Sequence, residues 1–474
     1  MKRAIVWFRN DLRIHDNQAL AEACKAGEIL PLYCFDPRHF KRTQYGFEKT
    51  GSFRANFLRE SIIDLRKSIR NLGGELIIRF GMPEVEISKL VQEHAINNVF
   101  VHKEITKEET DVEEAVNLAL EIPVTYFWGN TLYHIEEVLS QVEDIPDVFS
   151  TFRKKIEKKT EVRKLISAPD FIPLIEGVNP GVIPELSELG IEKKSLDPRT
   201  AYLFMGGETN AIKRLQEYIW EQDLLKNYKF TRNGMLGADY STKFSPWLAN
   251  GTLSPRKIYW EVKKYEQERT KNVSTYWLIF ELIWRDFFKF SALKHGDRIF
   301  HKGGIQRKNR EWSTNKTNFW KWANGETGFP FIDANMIELN ETGFMSNRGR
   351  QNVASFLAQN LNIDWRMGAE YFESLLLDYD PCSNYGNWAY NATVGHDPRN
   401  RYFNILNQAE RYDKKGDYVR HWLPKLKHVP KELVHQSYTI QTEEEKLYEI
   451  QIGIDYPKPM INLEKSYEEI KNRA

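Results

Sequence analysis

Cysteine is scarce in these 474 residues: only Cys24, Cys34 and Cys382 occur. They are too few for a disulfide framework and too far apart for metal-ligand spacing, so no metal is expected. A stapled secreted scaffold is excluded, and a reducing, cytoplasmic setting is expected. Long apolar runs are missing, which excludes membrane-spanning helices. The start, MKRAIVWFRNDLR, passes from a strand-like run into charge, unlike a signal or transit peptide. An excess of either charge is missing too, since the formal net charge is +1. That excludes a surface coated in positive charge but leaves room for a local basic groove. No G-x-G-x-x-G follows the first strand-like run, so the dinucleotide fingerprint is absent. No internal repeat or low-complexity tract is visible.

What is present divides the chain by pattern. Short apolar runs at Ala4–Phe8, Ile29–Phe35, Glu75–Phe80, Asn98–Lys103 and Pro123–Trp128 suit buried parallel strands. Helical stretches lie between them, such as FRANFLRESIIDLRKSIRNLGG, which stops at glycine. This alternation predicts a doubly wound α/β domain over 1–130. Residues 131–200 hold a basic helical stretch, TFRKKIEKKTEVRK, read as a solvated face, and then Pro169, Pro173, Pro180, Pro184 and Pro198. They predict an extended connector. From 201 to 474 strand patterns nearly vanish, and a mostly α-helical domain is expected. Thirteen tryptophans are many, and a stacked planar ligand would account for some of them.

Four stretches of the helical half carry chemistry. In DYSTKFSPWLANGTLSP, Ser241, Thr242 and Ser245 offer hydroxyls, and Ser245-Pro246 reads as a helix cap followed by proline. Such a helix start suits an anion. In TYWLIFELIWRDFFKF, Trp277, Glu281, Trp284, Arg285 and Phe288 share one helical face. A Glu281–Arg285 bridge there would lie among large aromatics, which suits a cavity wall better than bulk water. In GFMSNRGRQNVASF, Asn347, Arg348 and Arg350 open a helix against its dipole, which calls for anionic partners. LLLDYDPCSNYGNWAY supplies Asp378 and Asp380, and an Arg350–Asp378 pair is expected.

Together with VWFRNDLR, these four stretches resemble the photolyase/cryptochrome flavoprotein family over essentially the whole chain, and within it the DASH cryptochromes. The resemblance implies FAD held in the helical domain. Tyr228 and the loop Ser241, Thr242, Lys243, Phe244, Ser245 would contact its phosphates and ribitol. Arg285 and Asn347 would line the flavin site, and Arg350 and Asp378 would pair beside the ring system. Asp380 would face the flavin's polar edge, and Asn384 would lie near N5. Trp388, Trp365 and Trp312 would pass electrons inward to the excited flavin. Glu281 and Trp284 would bind a flipped pyrimidine dimer.

The resemblance also implies a folate antenna, 5,10-methenyltetrahydrofolate, at Glu104 in the HKEIT loop. Arg232, Arg348, Arg399 and Arg401 are candidates for a DNA rim. Gln351 and Tyr390 stand where duplex-DNA photolyases carry methionine and tryptophan, as in the DASH subgroup. The expectation is therefore a light-driven lyase for cyclobutane dimers, mainly in single-stranded DNA, acting as a monomer. The competing class is a blue-light photoreceptor that binds nucleic acid or a protein partner without repair.

Overall fold

The computed structural model of the chain describes residues 2–138, 144–397, 399 and 402–473. Five parallel strands form one sheet in the order β3-β2-β1-β4-β5. They are β1 (Lys2–Phe8), β2 (Gly27–Phe35), β3 (Ile77–Phe80), β4 (Asn98–His102) and β5 (Val124–Phe127). Each expected strand is present. β1 and β2 begin two residues before their apolar runs, because Lys2 and Gly27 still pair across the ladder.

Alternate side chains face opposite layers of helices. Ala4, Val6 and Phe8 pack with α1 (Gln18–Ala26) and α2 (Ser52–Asn71). Ile5 and Trp7 pack with α3 (Pro83–His94) and α4 (Lys107–Ala119). Burial on both faces is why the strands read as continuous apolar runs. Strand order reverses between β1 and β4, which places a ligand crevice at their carboxyl ends.

The connector does more than link. Pro173 O accepts from Ile29 N at 2.6 Å, and Pro180 O accepts from Ile78 N at 2.8 Å. Prolines have no N–H to leave unpaired, yet their carbonyls cap the exposed sheet edge. The basic stretch forms most of α5 (Phe149–Lys159), whose charges face solvent as expected, but the helix also has an apolar side. Phe149, Phe152 and Ile156 are buried in the helical core, and the charges occupy the other side.

Sheet and helical domains meet at the loop after β1. Arg13, 1% exposed, donates to the carbonyls of Gly251, Asp16 and Gly129. Asp16 accepts from Arg256 Nε at 3.0 Å and Nη2 at 2.7 Å. Gly251 sits at φ +71°, and a Cβ there would lie 1.9 Å from Asn10 O. Only glycine allows this approach.

No strand follows β5 among the described residues, and no helix there is long and apolar enough to cross a membrane. The long α6 (Val273–His295) runs through the helical core, started by an Asn272 capping box. Its Asp286 is fully buried and accepts from Leu132 N and Tyr133 N, both at 2.9 Å. Burial pushes its pKa up to about 7, against the pull of the two backbone donors. An acid raised in the native state adds stability that is full below its ordinary value of 3.8 and is lost as pH climbs through 7. Asp286→Asn is therefore expected to flatten the fall in denaturation midpoint between pH 5 and pH 8. An unchanged slope would show that Asp286 is already ionised in the folded protein.

Candidate cofactor cavity and its neighbours

A cavity of about 470 Å³ opens along α6. Trp277, Glu281, Trp284, Arg285 and Phe288 line it from that helix, as their spacing predicts. Facing them are Tyr228, the Tyr240–Ser245 loop, the start of α7 (Asn347–Ser355), and Asp378 and Asp380. The last two lie between α8 (Trp365–Leu375) and α9 (Pro381–Asn391).

The loop is held from behind by Arg214, which donates to Thr242 O at 3.1 Å and Ser241 O at 3.4 Å. Lys243 adopts the left-handed backbone at φ +62°, a strained setting for a side chain. Its Nζ is buried without a hydrogen-bond partner, 3.3 Å from the Tyr240 ring centroid and 4.6 Å from that of Phe344. Burial pushes its pKa well below the usual lysine range. Glu338 and Asp239 act on this amine only through space, so it lacks a hydrogen-bond acceptor, which is costly, and a phosphate group would satisfy it. Ser245 is not the helix cap. Phe244 already has helical backbone at φ −74°, ψ −12°, so entry shifts by one residue and no side chain caps the start.

The ion pairs differ partly from expectation. Arg350 and Asp378 form a two-pronged bridge, both contacts 2.9 Å, as expected. Glu281 does not pair with Arg285. Its partner is Arg232 at 2.8 Å, so Arg232 turns into the cavity rather than out to a rim. Arg285 instead donates to the carbonyls of Asn130 and Leu248. Burial raises the Glu281 pKa, and Arg232 only partly offsets it. Asp380 caps α9 through Ser383 N and accepts from Lys289 Nζ at 2.7 Å. Burial pushes Asp380 up, but Lys289 and Arg285 pull it below the usual carboxylate range. Lys289 escaped the sequence reading, although it continues the four-residue stripe 281, 285, 289. So did Phe149, which stacks on Trp284 with centroids 3.6 Å apart and 9° between planes.

Asn384 and Trp388 lie not in the main cavity but in an adjoining one of about 90 Å³, whose wall also holds Asn347, Arg350 and Asp378. Asn384 Nδ2 donates to Ala369 O at 2.9 Å. Trp388 rests on Gly368 of α8, where a Cβ would come within 2.2 Å of the indole. Trp388, Trp365 and Trp312 share one hydrophobic core. Trp388 meets the rings of Phe372 at 5.0 Å and Trp322 at 6.1 Å. Trp365 is fully buried, and Trp312 lies under the Arg310 guanidinium at 3.9 Å.

Of the remaining rim residues, Arg348 donates to Gln351 at 2.7 Å and lies 4.5 Å over Tyr412. Tyr390 meets Trp284 edge-on at 6.4 Å. Arg399 is exposed and pairs with Asp397. Arg401 lies outside the described residues. Glu104 sits elsewhere, in a cavity of about 550 Å³ at the carboxyl ends of β1, β2 and β4. It is buried and accepts from Asn10 Nδ2 at 3.0 Å.

A parallel sheet joined to a helical half with such a cavity is the architecture of the photolyase-type flavoproteins that comparison with known proteins finds. Residues 4–170 match the family profile "DNA photolyase", and residues 277–474 match "FAD binding domain of DNA photolyase". A cryptochrome DASH of Gloeobacter violaceus is 51% identical over 470 residues, covering 98% of this chain and 94% of that one. The crystal structure of a Synechocystis cryptochrome superposes with TM-score 0.97 at 48% identity, covering 100% and 99% of the two chains. A class III photolyase from Agrobacterium tumefaciens gives TM-score 0.86 at 26% identity, covering 100% and 98%. The chain belongs to the photolyase/cryptochrome family, among the DASH cryptochromes.

The orphaned Lys243 generates a prediction in two parts. Lys243→Met removes an unsatisfied buried amine, so the ligand-free protein is expected to gain about 1–3 kcal/mol of stability. The same variant is expected to bind FAD more weakly in a flavin titration. A loss of stability without a change in FAD affinity would assign Lys243 to the core rather than to a ligand.

Proposed function

We propose that this chain performs light-driven, FAD-dependent repair of cyclobutane pyrimidine dimers, mainly in single-stranded DNA. The observation that carries the reading is convergence on one cavity. The unpartnered Lys243, the Arg350–Asp378 bridge and the Glu281–Trp284 face all meet there. FAD, when bound, supplies light absorption and the electron that opens the cyclobutane ring. The flavin-holding residues are those of the Tyr240–Ser245 loop with Tyr228, Arg285, Asn347, Arg350, Asp378, Asp380 and Asn384. We assign a reducing, cytoplasmic setting to the same reading, in keeping with three free thiols.

The remaining residues bind and orient. Glu281, with its pKa raised, holds a proton more readily than an exposed carboxylate and can share it with the polar edge of a flipped base. Arg232 fixes the direction of that carboxylate. Trp284 offers an apolar wall, kept in place by Phe149 behind it. Trp388, Trp365 and Trp312 would deliver electrons from the protein side. In the sheet-side cavity, Glu104 would accept N–H groups of a folate heterocycle.

Strand preference follows from the cost of flipping. Extruding a base costs a few kcal/mol, and least from a strand already single. Gln351 and Tyr390 replace two bulky apolar groups, and Gln351 is engaged by Arg348. A deficit of ~3 kcal/mol would lower repair roughly a hundredfold. Repair is expected to be efficient on a dimer in a single strand, intermediate in a bubble and weak in a duplex, read by illuminating reduced protein with each. Equal repair on all three would remove the strand preference. No repair on any would favour the photoreceptor reading.

Electron supply has its own test. Trp388→Phe is expected to slow light-driven flavin reduction at least tenfold while FAD stays bound. Photoreduction at the wild-type rate would rule out Trp388 as the entry point.

A further inference from the structure

The two large cavities share a wall. Asp380 and Ala249 line both of them, and Lys289 lines the sheet-side one. The Lys289 and Asp380 side chains are only 4% and 8% exposed and meet at 2.7 Å. On the sheet side, Lys289 interacts electrostatically with Glu104 and Glu109. On the helical side, Asp380 interacts with Arg285. The wall thus carries a row of alternating sign: Glu104, then Lys289, then Asp380, then Arg285, with Glu109 pushed up to about 8 by burial and by Glu104 and so mostly neutral. Charges buried in this way are poorly screened by solvent and salt, so a change at one end reaches the other.

We propose that this row couples the two sites, so that the occupant of the sheet-side cavity sets the reduction potential of a flavin in the helical cavity, with Lys289 as the positioning residue between them. The inference rests on the reading of the helical cavity as a flavin site. Its sign follows from charge. Reduction places negative charge on the flavin, which Asp380 opposes, and Lys289 relieves that opposition by neutralising Asp380. A heterocycle that donates N–H groups to Glu104 draws that carboxylate's charge away from Lys289. The ammonium is then drawn less toward Glu104 and seats more firmly on Asp380. Such an occupant favours reduced flavin, and reduced flavin favours the occupant by the same factor.

The first measurement is the affinity of flavin-loaded protein for 5,10-methenyltetrahydrofolate with the flavin oxidised and with it reduced. Binding to the reduced form is expected to be tighter by about fivefold or more, the lower end of couplings between linked sites. The ratio is expected to fall to about one in Lys289→Met and to be largely retained in Lys289→Arg. Equal affinities in the wild type overturn the coupling while leaving both ligand assignments intact.

A second measurement needs no folate and decides the matter even if the sheet-side cavity takes another ligand. It is the flavin midpoint potential in the wild type, Glu104→Gln, Lys289→Met and the double variant. Glu104→Gln is expected to raise the potential and Lys289→Met to lower it. The Glu104 effect should vanish in the Lys289→Met background. Additive shifts, or none, overturn the proposal. Protein that takes up no flavin at all overturns the cofactor reading beneath it.

Discussion

The junction between sheet and helices rests on Asp16. Its carboxylate takes two donors from Arg256, one from Ser254 and one from Ile166 N. Arg13 beside it grips Gly251 and Gly129, so one short loop ties together the sheet, the connector and the helical domain. Breaking a buried pair of this kind by removing one partner costs about 3–5 kcal/mol, because the other charge stays buried. Both large cavities depend on this contact. One opens at the strand ends next to the loop, and the other is closed in part by Leu248 and Ala249, just before Gly251.

From that fixed point the site is assembled by secondary structure. α6 sets a row of cavity-lining side chains at intervals of three and four residues. The loop before the short Ser245–Ala249 helix sets an unpaired lysine opposite them. The turn between α8 and α9 sets two carboxylates two residues apart that face different cations: Asp378 takes Arg350, and Asp380 takes Lys289. One turn therefore serves two purposes, bracing the helical-side cavity and forming the partition to the neighbouring one.

Much of this was legible in the sequence. The strands were visible because burial on both faces makes the centres of β1, β2 and β4 continuous apolar runs, while β3 and β5 at the edges are short and only partly buried. The α6 face was visible because helical spacing fixes which side chains are neighbours. The same rule failed for Glu281, since spacing shows that Arg285 can reach it but not that Arg232 arrives from another element. Lys289 was missed for a related reason: its partner lies 91 residues away. Ser245 misled because its hydroxyl and proline match a capped start, whereas the backbone of Phe244 had already turned helical. Phe149 was hidden in a stretch whose charges suggested solvent.

The Phe149–Trp284 stack has a consequence for how the chain can be divided and made. The helical half does not contain all of the walls of its cavity. Phe149 backs Trp284, Asn130 O receives Arg285, and the N–H groups of Leu132 and Tyr133 satisfy Asp286. A helical domain expressed alone from residue 201 would carry an exposed indole face, an arginine held only by Leu248 O and a buried carboxyl without donors. On the ribosome the difficulty does not arise, because N-terminal segments emerge first and are available when α6 appears. The order of synthesis is thus part of how the pocket is completed. A circular permutation that placed residues 1–160 last would force α6 to wait with its site unfinished and its aromatics open to aggregation.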